Sequence, residues 1–173
     1  DDVRRIASNG LSTILGQASR SSRVRSLLTT GGFPDMAAHV VYCTSHDVEA
    51  DNEQRLFSYF LQILDRVSPQ SDNTFVALDQ VHATFALTLT SAGIPMFLAG
   101  EEFADLHDTD RRDWRQKMSD PVDWSRAEQP GRRDLLVRIR ELVRLRTTHG
   151  ALHRNEVQFF GFNAAQNAGF HPS

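Results

Sequence analysis

Residues 40–49 read Val-Val-Tyr-Cys-Thr-Ser-His-Asp-Val-Glu, and the fold turns on how they are read. Val40-Val41-Tyr42-Cys43 is short, apolar, and β-branched or aromatic at its first three positions. It gives way to polar Thr44-Ser45-His46-Asp47, the pattern of a buried strand with polar residues at its C-terminal end. A second such run, Ile94-Pro95-Met96-Phe97-Leu98-Ala99, follows Ala92-Gly93 and ends at Gly100-Glu101-Glu102. Continuous apolar runs of this length suit strands buried on both faces. Between them Leu56, Phe57, Phe60, Leu61 and Leu64 recur at helical spacing behind Asp51 and Asn52, either of which can cap a helix that Pro69 then ends. A second helix is predicted from about Leu78 to Thr90, with Leu78, Val81, Phe85 and Leu89 on one side. Strand, helical region, strand is a βαβ pattern, so the fold class is expected to be α/β, with a parallel sheet covered by helices.

Outward from this unit, Val3, Ile6, Leu11, Ile14, Leu15, Val24, Leu27 and Leu28 fall at broadly helical spacing, interrupted at Gly10, Gly16 and the serines from Ser19 to Ser22. Asp105 to Gln129 is a long polar loop carrying Trp114 and Trp124, too long for a plain connector. Pro130-Gly131 precedes the clearest helix, with Leu135, Leu136, Ile139, Leu142 and Val143 as its stripe. The arginines between Arg132 and Arg146 alternate with Asp134 and Glu141 and read as a solvated helix face. Val157 to Phe162 reads as a strand opening a new element, so residues 1–153 are expected to form one domain and residues 154–173 the start of another.

The 173 residues are 40% hydrophobic and 24% charged with a net charge of -3, an ordinary globular composition. No apolar run approaches the roughly 20 residues that span a bilayer, so no membrane partner is expected. The acidic balance argues against nucleic acid, which wants clustered basic residues in excess. Cys43 is the single cysteine, so no internal disulfide can form. That is compatible with a reducing compartment; the residues do not fix a localisation, although the cytoplasm is favoured. The opening Asp1-Asp2 carries neither a basic n-region nor an apolar h-region, so it is not read as a signal peptide; either the start was removed or the chain is a piece of something longer.

Four segments, in this order and spacing, resemble glycoside hydrolase family 13, the α-amylase superfamily. Val40 to Glu49 looks like the last conserved motif of the family, a strand seven ending in His-Asp. Ala92 to Phe103 is similar to strand eight and its following turn; Gln80 to Ser91 matches the helix before it, and Asp120 to Trp124, Asp-Pro-Val-Asp-Trp, with the helix to Arg146, resembles the closing loop and helix eight. The resemblance covers about residues 35 to 160. It implies the C-terminal portion of a (β/α)8 TIM barrel, followed by the start of a β-rich C-terminal domain. Phe159, Phe160 and Phe162 would face the core of that domain.

By the same resemblance the chemistry is retaining glycoside hydrolysis or transglycosylation of α-glucans, through an oxocarbenium-like transition state flanked by a nucleophile and an acid/base. Asp47 would be the third acid, which stabilises that transition state, with His46 hydrogen-bonding the sugar and Ser45 and Glu49 beside it at the substrate. Ser45 stands where many relatives have Asn. The nucleophile and acid/base motifs, which the family takes from earlier strands, do not occur in this sequence, so the chain alone is expected to be inactive. The partners implied are an α-glucan and the upstream part of its own barrel. An alternative within the same fold is a non-catalytic carbohydrate-binding or regulatory remnant. Another is a free-standing α/β domain, which would need a different cover for its strand edges. Glu101 and Glu102 read as scaffold or rim, and the two tryptophans as packing beneath the loop rather than as a sugar platform. No cofactor is expected: calcium occurs in the family, but His46, Asp47, His107, Asp108 and Asp110 lack the compact spacing of a metal site.

Overall fold

Alternation along residues 40–43 shows how the first strand is oriented. Val40 and Tyr42 are 45% and 42% exposed, whereas Val41 and Cys43 are each 3% exposed, because successive side chains of a strand point to opposite faces. The computed structural model describes residues 34–45, 55–69, 71–107, 115, 119–154, 160–162 and 170–172. The expected interrupted helix before Leu28 lies outside them, as does Trp114.

Strands β1 (Val40–Val41) and β2 (Ile94–Pro95) pair in parallel, with Val40 opposite Ile94 and Val41 opposite Pro95. The Ile94 N–H donates to the His39 carbonyl at 2.7 Å and the Met96 N–H to the Val41 carbonyl at 2.9 Å. Pro95, which has no N–H, occupies the intervening position that faces away from β1, where a ladder tolerates it. Gly93 enters the strand at φ +119, and a Cβ there would lie 2.6 Å from the His39 carbonyl oxygen. Only glycine serves where the backbone is both left-handed and this close to its neighbour.

Residues 40–43 were expected to form a buried strand and 94–99 one buried on both faces; the ladder is two residues long and one face is bare. Val41 and Cys43 are buried, Cys43 within the helical cluster, and the ring of Phe97, 36% exposed, meets Phe85 edge-on with centroids 5.0 Å apart. The other face, Val40, Tyr42, Ile94 and Met96, is exposed. An apolar run without alternation requires a cover on each side, and among the described residues only the helical cover is present.

That cover consists of α1 (Leu56–Val67), α2 (Thr74–Thr90) and α3 (Arg132–Thr148), with α2 packed against both others. The expected stripe of α2, Leu78, Val81, Phe85 and Leu89, is buried in one cluster with Leu56, Phe57 and Phe60 of α1 and Leu135 and Ile139 of α3. The helix begins four residues before the expected Leu78, because Asp72 accepts the Thr74 N–H at 3.0 Å and so satisfies a first-turn donor. Thr84 and Thr88 are buried on the same apolar side, and their hydroxyls donate to the carbonyls of Gln80 and Thr84 at 2.8 and 2.9 Å. A threonine in a core helix is satisfied in this way by the helix itself.

The arginines of α3 are not uniformly a solvated face. Arg133, Arg140 and Arg144 are exposed, but Arg132 and Arg146 are buried. Arg146 donates to the carbonyls of Leu89, Ser91 and Gly93, at 3.2, 2.7 and 2.5 Å. It thereby satisfies acceptors left open where α2 ends and β2 begins. Its burial lowers its pKa from the ordinary arginine value. Further on, β3 (Phe160–Phe162) and β4 (Phe170–Pro172) form an antiparallel pair, with Phe160 opposite Pro172; the second of these strands was not anticipated.

Leu135 is fully buried in the helical cluster. Leu135→Ala is expected to destabilise the protein by about 2–5 kcal/mol through lost transfer energy and the cavity left behind. Val137→Ala, on the exposed side of the same helix, should stay within about 0.5 kcal/mol. Denaturant midpoints of the two variants check this.

Candidate functional site

Because β1 and β2 run parallel, their C-terminal ends share one edge of the sheet, where parallel α/β folds carry chemistry. β1 leads there into Thr44 and Ser45, both buried. The Thr44 hydroxyl oxygen has no hydrogen-bond partner among the described residues. Of the expected site residues, Ser45 alone is described; His46, Asp47 and Glu49 lie outside the described residues.

β2 leads into a tight turn on which most of the buried charges among the described residues converge. Gly100 adopts φ +93, the 3₁₀ turn Glu101–Phe103 follows, and Ala104 returns the chain at φ 59. A left-handed alanine is costly by roughly 1–2 kcal/mol, and it is held by the Ala104 N–H to the Glu101 carbonyl and by Arg132, which donates to the Ala104 carbonyl. A Cβ on Gly100 would lie 2.8 Å from Arg55 Nη1 and from Asp105 Cβ. The absent side chain is the space through which Arg55 approaches.

Four charged side chains converge on this turn. Asp105, fully buried, accepts from Arg126 Nη1 at 2.8 Å and lies 3.7 Å from Arg55 Nη2. Arg55 Nη1 donates to the Ala99 carbonyl at 2.8 Å, and Arg126 Nη1 to the Leu106 carbonyl at 2.8 Å. Arg132 reaches the Phe103 and Ala104 carbonyls and sits over the Phe57 ring, 4.7 Å from its centroid. Burial lowers the Arg132 pKa, the charge of Arg126 adds to that, and Asp105 opposes it. The guanidinium stays protonated at any ordinary pH. Charges so far from water persist only when paired and hydrogen-bonded.

Glu101 and Glu102 have separate tasks. Glu102 folds back to accept the Gly100 N–H at 2.8 Å. Glu101 is fully buried and receives the Leu56 N–H on both carboxylate oxygens, at 3.2 and 3.1 Å. Leu56 opens α1, and Arg55 at its N-cap makes no side-chain cap. Asp51 or Asn52 was expected to cap this helix; they lie outside the described residues, and the cap at Leu56 comes from a carboxylate 45 positions away. A negative charge is favoured there by the helix dipole as well as by the open N–H.

Around the turn, Trp124 is 62% exposed and rests against Phe103 with ring centroids 5.2 Å apart. It does not pack beneath the loop as expected, since it opens the exposed 3₁₀ turn Trp124–Glu128. His107 hydrogen-bonds Asp120 at 2.9 Å across the long loop. No group of three or more His, Cys, Asp or Glu suited to a metal occurs among the described residues, and none of their helices is long and apolar enough to cross a membrane.

Arg55, Asp105, Arg126 and Arg132 escaped the sequence reading. The signal available was Asp105 itself, a charge between Ala104 and Leu106, where burial without a partner would be prohibitive. Its partners are 50 and 21 positions away by number, and no local pattern points to them. In comparisons with protein-family models, with curated proteins and with solved structures, the chain has no significant match.

Arg126→Ala would leave the buried Asp105 with only the longer Arg55 contact. A loss of about 3–5 kcal/mol is expected, as for a broken buried pair. Arg138→Ala removes an ion pair to Asp79 that is largely exposed on both sides and should cost less than about 1 kcal/mol. Thermal and denaturant unfolding of both variants measures the contrast.

Proposed function

We propose that this chain is the C-terminal portion of a (β/α)8 barrel of glycoside hydrolase family 13 and works as part of a retaining α-glucan hydrolase or transglycosidase of the α-amylase, branching or debranching type. The observation that carries the reading is the one-sided sheet. Two neighbouring parallel strands are covered by helices on one face and present Val40, Tyr42, Ile94 and Met96 on the other. A barrel has this arrangement, with helices outside and layered apolar side chains within. The missing inner cover would be the interior side chains of strands outside the described residues. The order and spacing of the four motif segments support the same reading.

On this reading Asp47 projects from the strand-seven end and stabilises the oxocarbenium-like transition state, and His46 hydrogen-bonds the sugar in the same subsite. Ser45 and Glu49 line the substrate beside them. The nucleophile and the acid/base belong to earlier strands, and bond cleavage requires them. Binding of an α-glucan and completion by the upstream barrel are therefore one requirement, and residues 1–173 alone turn over no substrate.

Two outcomes test this. In the complete protein, Asp47→Asn is expected to lower turnover of a soluble α-glucan by roughly three or more orders of magnitude, in keeping with loss of a group that acts mainly in the transition state. Unfolding of that variant should be little changed; undiminished turnover rules out the role given to Asp47. Expressed alone, residues 1–173 should self-associate through the bare strand face. A sharp monomer peak by size-exclusion with light scattering, together with cooperative unfolding, would contradict the incomplete barrel.

A further inference from the structure

We infer that Trp124 is a binding platform for a pyranose ring of an α-glucan, mounted beside the turn that follows β2. The choice of an α-glucan rests on the proposed function, while the platform itself is built from described residues. Trp124 is 62% exposed, and its indole leans on the fully buried Phe103 with ring centroids 5.2 Å apart and the planes inclined by 41°. Phe103 belongs to the turn after β2. The indole therefore stands at the edge where the strands end, the edge at which parallel α/β folds hold their ligands.

The mount is braced on both sides of the ring. Ahead of it, Asp120 hydrogen-bonds His107 at 2.9 Å, and Asp123 accepts the Ser125 N–H and hydroxyl at 3.0 and 2.6 Å. Behind it, Arg126 donates to Asp105 and to the Leu106 carbonyl, each at 2.8 Å, and Ala127 is buried. A side chain presented on so fixed a backbone loses little further freedom when a ligand arrives, which is the condition under which an exposed aromatic ring gives affinity.

The surroundings select the occupant. From Ser119 to Gln129, Trp124 is the one large hydrophobic side chain that is exposed, and its chain neighbours are the exposed Ser125 and the partly exposed Asp123. A protein partner wants a contiguous apolar patch with charge kept from its centre. A pyranose wants the reverse, because its C–H face is apolar and flat enough to lie on an indole, and its rim carries hydroxyls that donate to a carboxylate.

The test uses the complete protein, run in native gels cast with and without soluble amylopectin and assayed on the same polymer, with Asp47→Asn as control. Trp124→Ala is expected to weaken retardation and to raise KM by about tenfold, with kcat within about twofold. Trp124→Phe keeps a flat apolar face and should recover most of that loss. If Trp124→Ala fails to fold, Trp124→Leu, which keeps apolar cover over Phe103 without a flat face, is read with the same expectations. Wild-type retardation and KM in the Ala or Leu variant, with Asp47→Asn inactive, overturn the platform and leave the functional reading standing. The same result with a changed oligomeric state by light scattering also overturns it and gives the ring to a protein contact. Undiminished turnover in Asp47→Asn removes the functional reading instead, and retardation then decides alone: its loss in Trp124→Ala upholds the platform, and its persistence overturns it. A complete protein that amylopectin does not retard overturns the platform as well.

Discussion

The buried carboxylates of the turn after β2 constrain much of the described structure. Glu101 receives the first N–H of α1, and Asp105 pairs with arginines that precede α1 and lie in the 3₁₀ turn before α3. Arg132, the first residue of α3, closes the same turn from the other side through its carbonyls. One short turn thus fixes the starting points of two helices. The low dielectric that makes an unpaired charge so costly also makes each correct pairing specific, because a misregistered helix would strand a carboxylate or a guanidinium.

Arg146 does comparable work at the opposite end of the strand. It satisfies three carbonyls where α2 hands over to β2, without a carboxylate partner among the described residues. β2 is therefore pinned at its entry by an arginine from α3 and at its exit by a turn whose carboxylates hold the start of α1 and whose carbonyls hold Arg132 of α3. Between these points its hydrogen bonds to β1 are few. The helical layer, rather than the strand ladder, defines the position of the sheet.

The bare face of that sheet connects architecture to the proposed activity. Tyr42 and Met96 are exposed on the side that a barrel would fill with interior side chains. On a finished surface, a patch of this kind would invite association. In the proposed barrel it would be core, and the edge where the strands end would face the substrate.

What the sequence by itself determined is the periodic part. The stripe Leu78, Val81, Phe85 and Leu89 was readable because each side chain's burial follows from its place in a repeat of 3.6 residues, whereas the run from Val40 to Cys43 was read as uniformly apolar and only the fold showed its alternating burial. The resemblance to the family was likewise read from four local segments in order, Val40 to Glu49, Gln80 to Ser91, Ala92 to Phe103 and Asp120 to Trp124 with the helix that follows, and it stays a proposal. The tertiary structure alone decided which charges are buried. Arg132 and Arg133 are adjacent on one helix, yet the first is buried against backbone carbonyls and the second is solvated. The Leu56 N–H at the start of α1 is received by Glu101, which no local pattern announces, because a hydrogen bond depends on where atoms meet in space, and residues 45 positions apart meet only once the chain has folded.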